Sequence, residues 1–74
     1  MNEENIYSLQ LKENETIRLS LVIWKSENYK VISTYSKNEI YSKTFKTYHE
    51  AYSYLLEEAL SYSLQNSSLH KVIQ

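Results

Sequence analysis

The sequence predicts an α+β fold, a four-stranded antiparallel meander with one C-terminal helix packed on one face and a short C-terminal tail. Three observations carry that expectation. Apolar and polar residues alternate along most of residues 6–46, which is the period of a strand. Behind the tetrad Thr47-Tyr48-His49-Glu50 the apolar spacing becomes helical. Asparagine stands at positions 14, 28, 38 and 66, in a chain with no Gly, Pro or Asp. An average chain of this length would carry roughly 5 Gly and about 4 Pro. Asparagine is the remaining residue that readily tolerates the left-handed backbone of a tight turn or helix stop. Read as turn marks, the four divide residues 1–74 into a single β-β-β-β-α domain.

The first strand is expected over Ile6–Lys12, with Tyr7, Leu9 and Leu11 on one face and Ser8 and Gln10 on the other. Glu13-Asn14 turns it. Residues Glu15–Lys25 alternate more strongly: Ile17, Leu19, Leu21 and Ile23 face one way, and Arg18, Ser20, Val22 and Trp24 the other. Ser26-Glu27-Asn28 makes the next turn. Tyr29–Ser36 and Glu39–Lys46 follow as strands joined around Lys37-Asn38, and short loops between consecutive strands imply antiparallel neighbours.

Thr47 and Glu50 then form a capping box, in which the Thr47 hydroxyl accepts an amide of the first turn. The helix runs to about Leu64, with Tyr48, Ala51, Tyr52, Leu55, Leu56, Ala59 and Tyr62 on one stripe. Glu50, Glu57, Ser53 and Ser61 lie opposite, and Asn66 occupies the left-handed stop. The tail, Ser67–Gln74, carries Leu69, Val72 and Ile73, enough to dock as a short helix or an edge strand.

The helix must cover one sheet face, and the row Ile17/Leu19/Leu21/Ile23 belongs beneath it. Tyr29, Val31, Tyr35, Tyr41 and Phe45 match that row on the third and fourth strands. The outward set is then Arg18, Ser20, Val22 and Trp24, with Lys30, Ile32 and Thr34, and with Ile40, Ser42, Thr44 and Lys46. Each strand's register decides this partition, because a slip of one residue inverts it.

Seventy-four residues form a small core, and with no cysteine there is no disulfide or thiolate metal site to reinforce it. A homodimer is the expected extra source of stability. The acidic start, Met-Asn-Glu-Glu-Asn, does not resemble a signal peptide, and the longest apolar run, Leu21–Trp24, is far short of a membrane span. A cytoplasmic location, in a bacterium or a phage-infected cell, is the expectation, with no membrane partner. Residues 1–17 hold four glutamates against one lysine, a net of −3, while residues 18–46 hold six cations against two glutamates, a net of +4. Residues 47–74 return to −2, with three glutamates against one lysine. A basic middle between acidic flanks bears on partners, not on fold.

Chemistry is sparsely represented. His49 and Ser53 are four apart on the helix, yet the chain has no Asp to orient the imidazole. Glu57 and Glu58 diverge by 100° and read as solvated. No glycine loop can cradle a phosphate. No catalytic residue, metal or cofactor is expected. The eight tyrosines read mainly as a core that uses Tyr in place of Phe, with hydroxyls reaching its edge. Tyr54, at the margin of the stripe, is the one expected to be exposed. The outward sheet face is the candidate site: Trp24 with Val22, Ile32 and Ile40, framed by Arg18, Lys30 and Lys46. An aromatic anchor inside a basic and polar rim is the composition of a binding surface.

The stretch from Tyr29-Lys-Val-Ile-Ser-Thr-Tyr through Tyr41-Ser-Lys-Thr-Phe45-Lys-Thr47-Tyr-His-Glu50-Ala51 to Leu55 resembles the arm-DNA-binding domain of mobile-element tyrosine integrases. The shared pattern is a lysine-rich last strand, Phe-x-Thr, then Glu-Ala opening a helix. The resemblance implies a three-stranded sheet plus helix whose sheet enters the major groove. It further implies phosphate and base contacts from Arg18, Lys30, Lys43 and Lys46. This chain departs from the pattern in its near-neutral charge and its glycine-free hairpins. The leading expectation is therefore a non-catalytic protein-binding module. Lysine outnumbers arginine seven to one, and Asn, Ile, Tyr and Ser are heavily used, a bias that resembles coding from an AT-rich genome such as that of a low-GC Gram-positive bacterium or one of its phages. The expected setting is a phage or mobile-element accessory protein, and the expected role is anti-defence inhibition of a host enzyme or regulator. A DNA-binding domain using the basic sheet face of residues 18–46 is the alternative.

Overall fold

A computed structural model describes residues 3–35 and 39–65. Four antiparallel strands, β1 (Glu4–Glu13), β2 (Thr16–Lys25), β3 (Tyr29–Tyr35) and β4 (Glu39–Phe45), form one open sheet in sequence order. A single helix, α1 (Tyr48–Gln65), packs on one face of it. Among the described residues, no helix is long and apolar enough to cross a membrane. The expectations for Asn38, Asn66 and the tail lie outside the described residues.

The turn chemistry holds in part. Asn14 has φ 52°, and Glu15 beside it has φ 67°. Two consecutive left-handed residues between Glu13 and Thr16 are what a type I′ hairpin needs, because its twist matches that of the strands it joins. Asn14 suits that geometry; Glu15, with a Cβ and no local hydrogen-bonding advantage, does not. Replacing Glu15 with glycine should therefore stabilise the domain by about 1 kcal/mol. A urea midpoint that does not rise would show that the turn is not strained. Asn28 departs from expectation, since its backbone is not left-handed. Its carbonyl accepts the Ser26 amide at 3.0 Å instead, inside a three-residue loop between the paired Lys25 and Tyr29.

Two bulges interrupt the β1–β2 ladder, and none interrupts β2–β3 or β3–β4. At the first, Asn5 pairs with Trp24 and Tyr7 with Ile23, so Ile6 is the extra residue. The Asn5 side chain spans it: Oδ1 accepts the Tyr7 amide at 3.1 Å and Nδ2 donates to Ser8 Oγ at 3.1 Å. At the second, Leu11 pairs with Leu19 and Lys12 with Ile17, leaving Arg18 without a cross-strand partner. The slip turns Ile17 onto the face of Lys12, away from Leu11. Alternation alone places Ile17 in the core; it is 41% exposed.

The helix begins as its sequence dictates. Thr47 Oγ1 accepts the Glu50 amide at 3.2 Å, and the Thr47 carbonyl accepts the Ala51 amide at 3.2 Å. Its buried residues are Ala51, Leu55, Ala59 and Ser63, a row at i, i+4 spacing. Ala51, Leu55 and Ala59 meet Leu11, Leu19, Leu21, Ile23 and Val31 of the sheet. Alanines on either side of Leu55 in that row let the helix lie close to the strands. The stripe expected from periodicity is rotated relative to this one. Leu56, placed inside it, is 43% exposed. Tyr54, expected outside, packs its ring 5.3 Å from Phe45, with Lys43 Nζ 5.1 Å above it.

Tyrosines close the rim, as expected for a core that substitutes Tyr for Phe. Tyr7 meets Tyr52 edge-on at 5.3 Å, Tyr29 meets Tyr48 at 5.9 Å, and Tyr35 meets Tyr62 at 5.8 Å. The Tyr35 hydroxyl donates to the Glu58 carboxylate, so Glu58 is half-buried and not solvated beside Glu57. Tyr41 departs furthest. It shares the inner face with Ser33, its partner on β3, but β4 is the outermost strand and Tyr41 remains 56% exposed.

Candidate binding site

The sheet has two faces and one helix, so among the described residues the outer face is uncovered. The register states what lies on it. Asn5, Trp24, Lys30 and Thr44 form one row across the four strands, and Ser8, Val22, Ile32 and Ser42 form the next. A third row holds Gln10, Ser20, Thr34 and Ile40. Facing residues on neighbouring strands have Cβ atoms about 5 Å apart, and diagonal ones about 7–8 Å. Trp24, Val22, Ile32 and Ile40 therefore make an apolar band running obliquely from one corner of the sheet to its far edge. Hydroxyl side chains flank it: Ser8, Ser20, Thr34, Ser42 and Thr44.

The Trp24 corner is concave. Trp24, Lys30 and Thr44, with Glu3 and the loop residues Ser26, Glu27 and Asn28, line a depression of about 190 Å³. The lysine is held there, its Nζ 3.3 Å from Glu3 Oε2. The indole presents an apolar plane beside an ammonium and several hydrogen-bonding groups, a combination suited to receiving one side chain of a partner.

Of the seven residues expected to bind a partner, Trp24, Val22, Ile32, Ile40 and Lys30 share the outer face. Lys46 follows Phe45, the partner of Tyr29, and is exposed at the Trp24 end. Arg18 does not join them. It sits at the second bulge, six residues and roughly 20 Å along β2 from Trp24, and its Nε lies 3.5 Å from Glu13 Oε1. Lys43, implicated in DNA contact by the integrase resemblance, is on the helix side of the sheet against Tyr54. Glu3 and the loop residues Ser26–Asn28 escape a reading of the sequence. Their positions depend on where the chain ends of β1 and β2 meet, which no local pattern records.

Elsewhere, His49 and Ser53 are both exposed on the helix. Partial burial and a hydrogen bond with Tyr52, with Tyr48 nearby, raise the Tyr7 phenol above its ordinary value of 10.0. That direction leads away from a phenolate at neutral pH. Among the described residues, no three His, Cys, Asp or Glu side chains gather to hold a metal ion.

The fold and this face define a small α+β domain with one sheet surface open to contact. No family model matches the chain, and no curated protein or solved structure matches it either.

Proposed function

We propose that the chain is a non-catalytic protein-binding module that engages its partner through the outer sheet face, with Trp24 as the anchor. The observation that carries this reading is the oblique band of Trp24, Val22, Ile32 and Ile40 on the uncovered face, ending in the concavity at Trp24. Interface hot spots favour a large aromatic in a recess surrounded by contacts that exclude water, and the flanking hydroxyls and Lys30 supply such a rim. The setting we propose is a phage or mobile-element accessory protein that blocks a host enzyme or regulator, on the strength of its size and AT-biased composition.

Trp24 is the chain's one tryptophan, so its fluorescence reports on this face alone. Partner capture should blue-shift that emission. Trp24→Ala should weaken capture by at least about 2 kcal/mol, roughly thirtyfold, with the helical circular dichroism unchanged. Capture that survives Trp24→Ala at full strength would sink the reading.

The DNA-binding alternative has less support. Arg18 and Lys30 are each paired with a glutamate, and Lys43 lies on the opposite face. A basic sheet loses much of its phosphate attraction when its cations are already neutralised. A duplex shift at low salt that collapses with added salt, and weakens evenly in Lys30→Ala and Lys46→Ala, would revive that alternative.

A further inference from the structure

The two edges of the sheet are unlike each other. An edge strand exposes a row of unpaired N–H and C=O groups, and proteins blunt such edges with bulges, charges or a covering element. On β1 the blunting is visible: Ile6 is bulged out of its line, and Asn5 takes up the Tyr7 amide there. On β4 the charges of Glu39 and Lys43 are present, but a bulge and a covering element are missing among the described residues. Each residue from Glu39 to Phe45 pairs in unbroken register with β3, and no described residue pairs along the other side. β4 is also the most exposed strand, with Ile40 at 67%. It is regular, and its outer side is unpaired among the described residues.

The side chains on β4 indicate what fits that edge. Glu39, Tyr41 and Lys43 alternate along the helix-side face, with opposite charges at either end of an aromatic residue. A second β4, run antiparallel and centred so that Tyr41 faces Tyr41, sets Glu39 of each copy opposite Lys43 of the other. Ile40 then lies opposite Ser42. Centring the pair on Lys43 instead would put two lysines face to face, which cross-strand pairing disfavours. The charge pattern is thus complementary to itself in one register.

We propose that β4 is a self-association edge, through which two copies join into a continuous eight-stranded antiparallel sheet about a two-fold axis at Tyr41. The axis is perpendicular to the sheet, so both helices lie on the same side and both outer faces on the other. Room for the helices is sufficient. Each lies mainly over β2 and β3 and reaches β4. Two β3 strands separated by three strand spacings stand about 14 Å apart, beyond the 8–10 Å that packed helices need. The ladder is short beside a standard interface of about 1,600 Å², so the dimer should be concentration-dependent. Trp24 lies two strands from this edge and takes no part, so this proposal stands independently of the binding role assigned to Trp24.

The test is sedimentation of the full chain from micromolar to millimolar concentration, with Glu39→Lys and Lys43→Glu variants. Each single reversal sets like charges opposite one another twice and should raise the dimer dissociation constant about tenfold or more. Mixing the two variants should restore association, because two lysines on one copy then face two glutamates on the other. Trp24→Ala should associate as the wild type does. Circular dichroism checks folding, and Glu39, being exposed, is the safer of the two sites to reverse. The proposal is overturned by a wild type that stays monomeric at millimolar concentration, or by single reversals without effect. Failure of the mixture to associate, or loss of association in Trp24→Ala, overturns it as well. Protection of the β4 amides from exchange that does not vary with concentration would mean that another segment of the same chain covers the edge, again against it.

Discussion

Replacing Leu21 with alanine is expected to destabilise the domain by about 2–5 kcal/mol. Leu21 is fully buried at the centre of the sheet, between Leu9 on β1 and Ser33 on β3, and beneath the helix. Truncation removes apolar surface from a site whose neighbours, Leu19, Ile23 and Leu55, are themselves fully buried and hold their positions in a close-packed interior. A domain of this length typically has about 4–11 kcal/mol in total. The substitution should therefore take a large share of it, read as a fall in urea midpoint without a change in slope. Ile17→Ala is the control. The two residues belong to the same alternating row in the sequence, but the bulge at Arg18 moves Ile17 onto the other face, and its truncation should cost less than about 1 kcal/mol. Equal losses at the two sites would show that the second bulge is misplaced.

The second large effect is expected from adding volume. Ala51→Leu should cost about 1–3 kcal/mol, because Ala51 is fully buried where the first turns of the helix meet the sheet. A leucine there has no empty space to enter, so it must push the helix away from Ile23 and Val31 or adopt a poor rotamer. For a domain this small, each kcal/mol corresponds to roughly 4–8 °C in the thermal midpoint. Leu56→Ala, on the exposed side of the same helix, should move the midpoint by a few degrees at most. If Leu56→Ala proved the more damaging of the two, the helix would have to be rotated toward the stripe that simple periodicity favours.

These comparisons mark where periodicity is informative and where it fails. The alternation of Leu19, Leu21 and Ile23 identifies the buried row because each carries a large side chain on the same face of a regular strand. The same rule fails at Ile17, since one unpaired residue reverses the parity of everything beyond it. Nothing in Thr16-Ile17-Arg18-Leu19 announces that bulge. Along the helix, apolar residues spread from Ala51 around to Leu64, too wide an arc to locate its centre. Where the stripe falls depends on which strands the helix crosses. It crosses β2, β3 and β4. That placement brings Tyr54 over Phe45 and leaves Leu56 outside.

The candidate site divides in the same way. Trp24, Val22, Ile32 and Lys30 are identifiable as outward because β2 and β3 are regular between Leu19 and Lys25. Arg18 stands apart from them, six residues along β2 from Trp24 and with its Nε 3.5 Å from Glu13 Oε1. Glu3 and the loop at Ser26–Asn28 escape notice because a concavity is a property of neighbouring chain ends, not of a spacing. The exchange of Glu58 from solvent to Tyr35 is of the same kind, a contact between β3 and α1 across 23 positions of sequence.

By itself, the sequence determined the order and type of every described element, the capping of α1 by Thr47, the hairpin at Asn14 and the outward orientation of Trp24. All of these follow from local backbone preference and from side-chain periods of two and 3.6, interactions between residues close in the chain. Tertiary structure alone decided the bulges, the rotation of the helix, the exposure of Tyr41 on the last strand and the contrast between a broken β1 edge and an unbroken β4. Those depend on how distant segments share space, where one displaced residue changes which side chains water can reach.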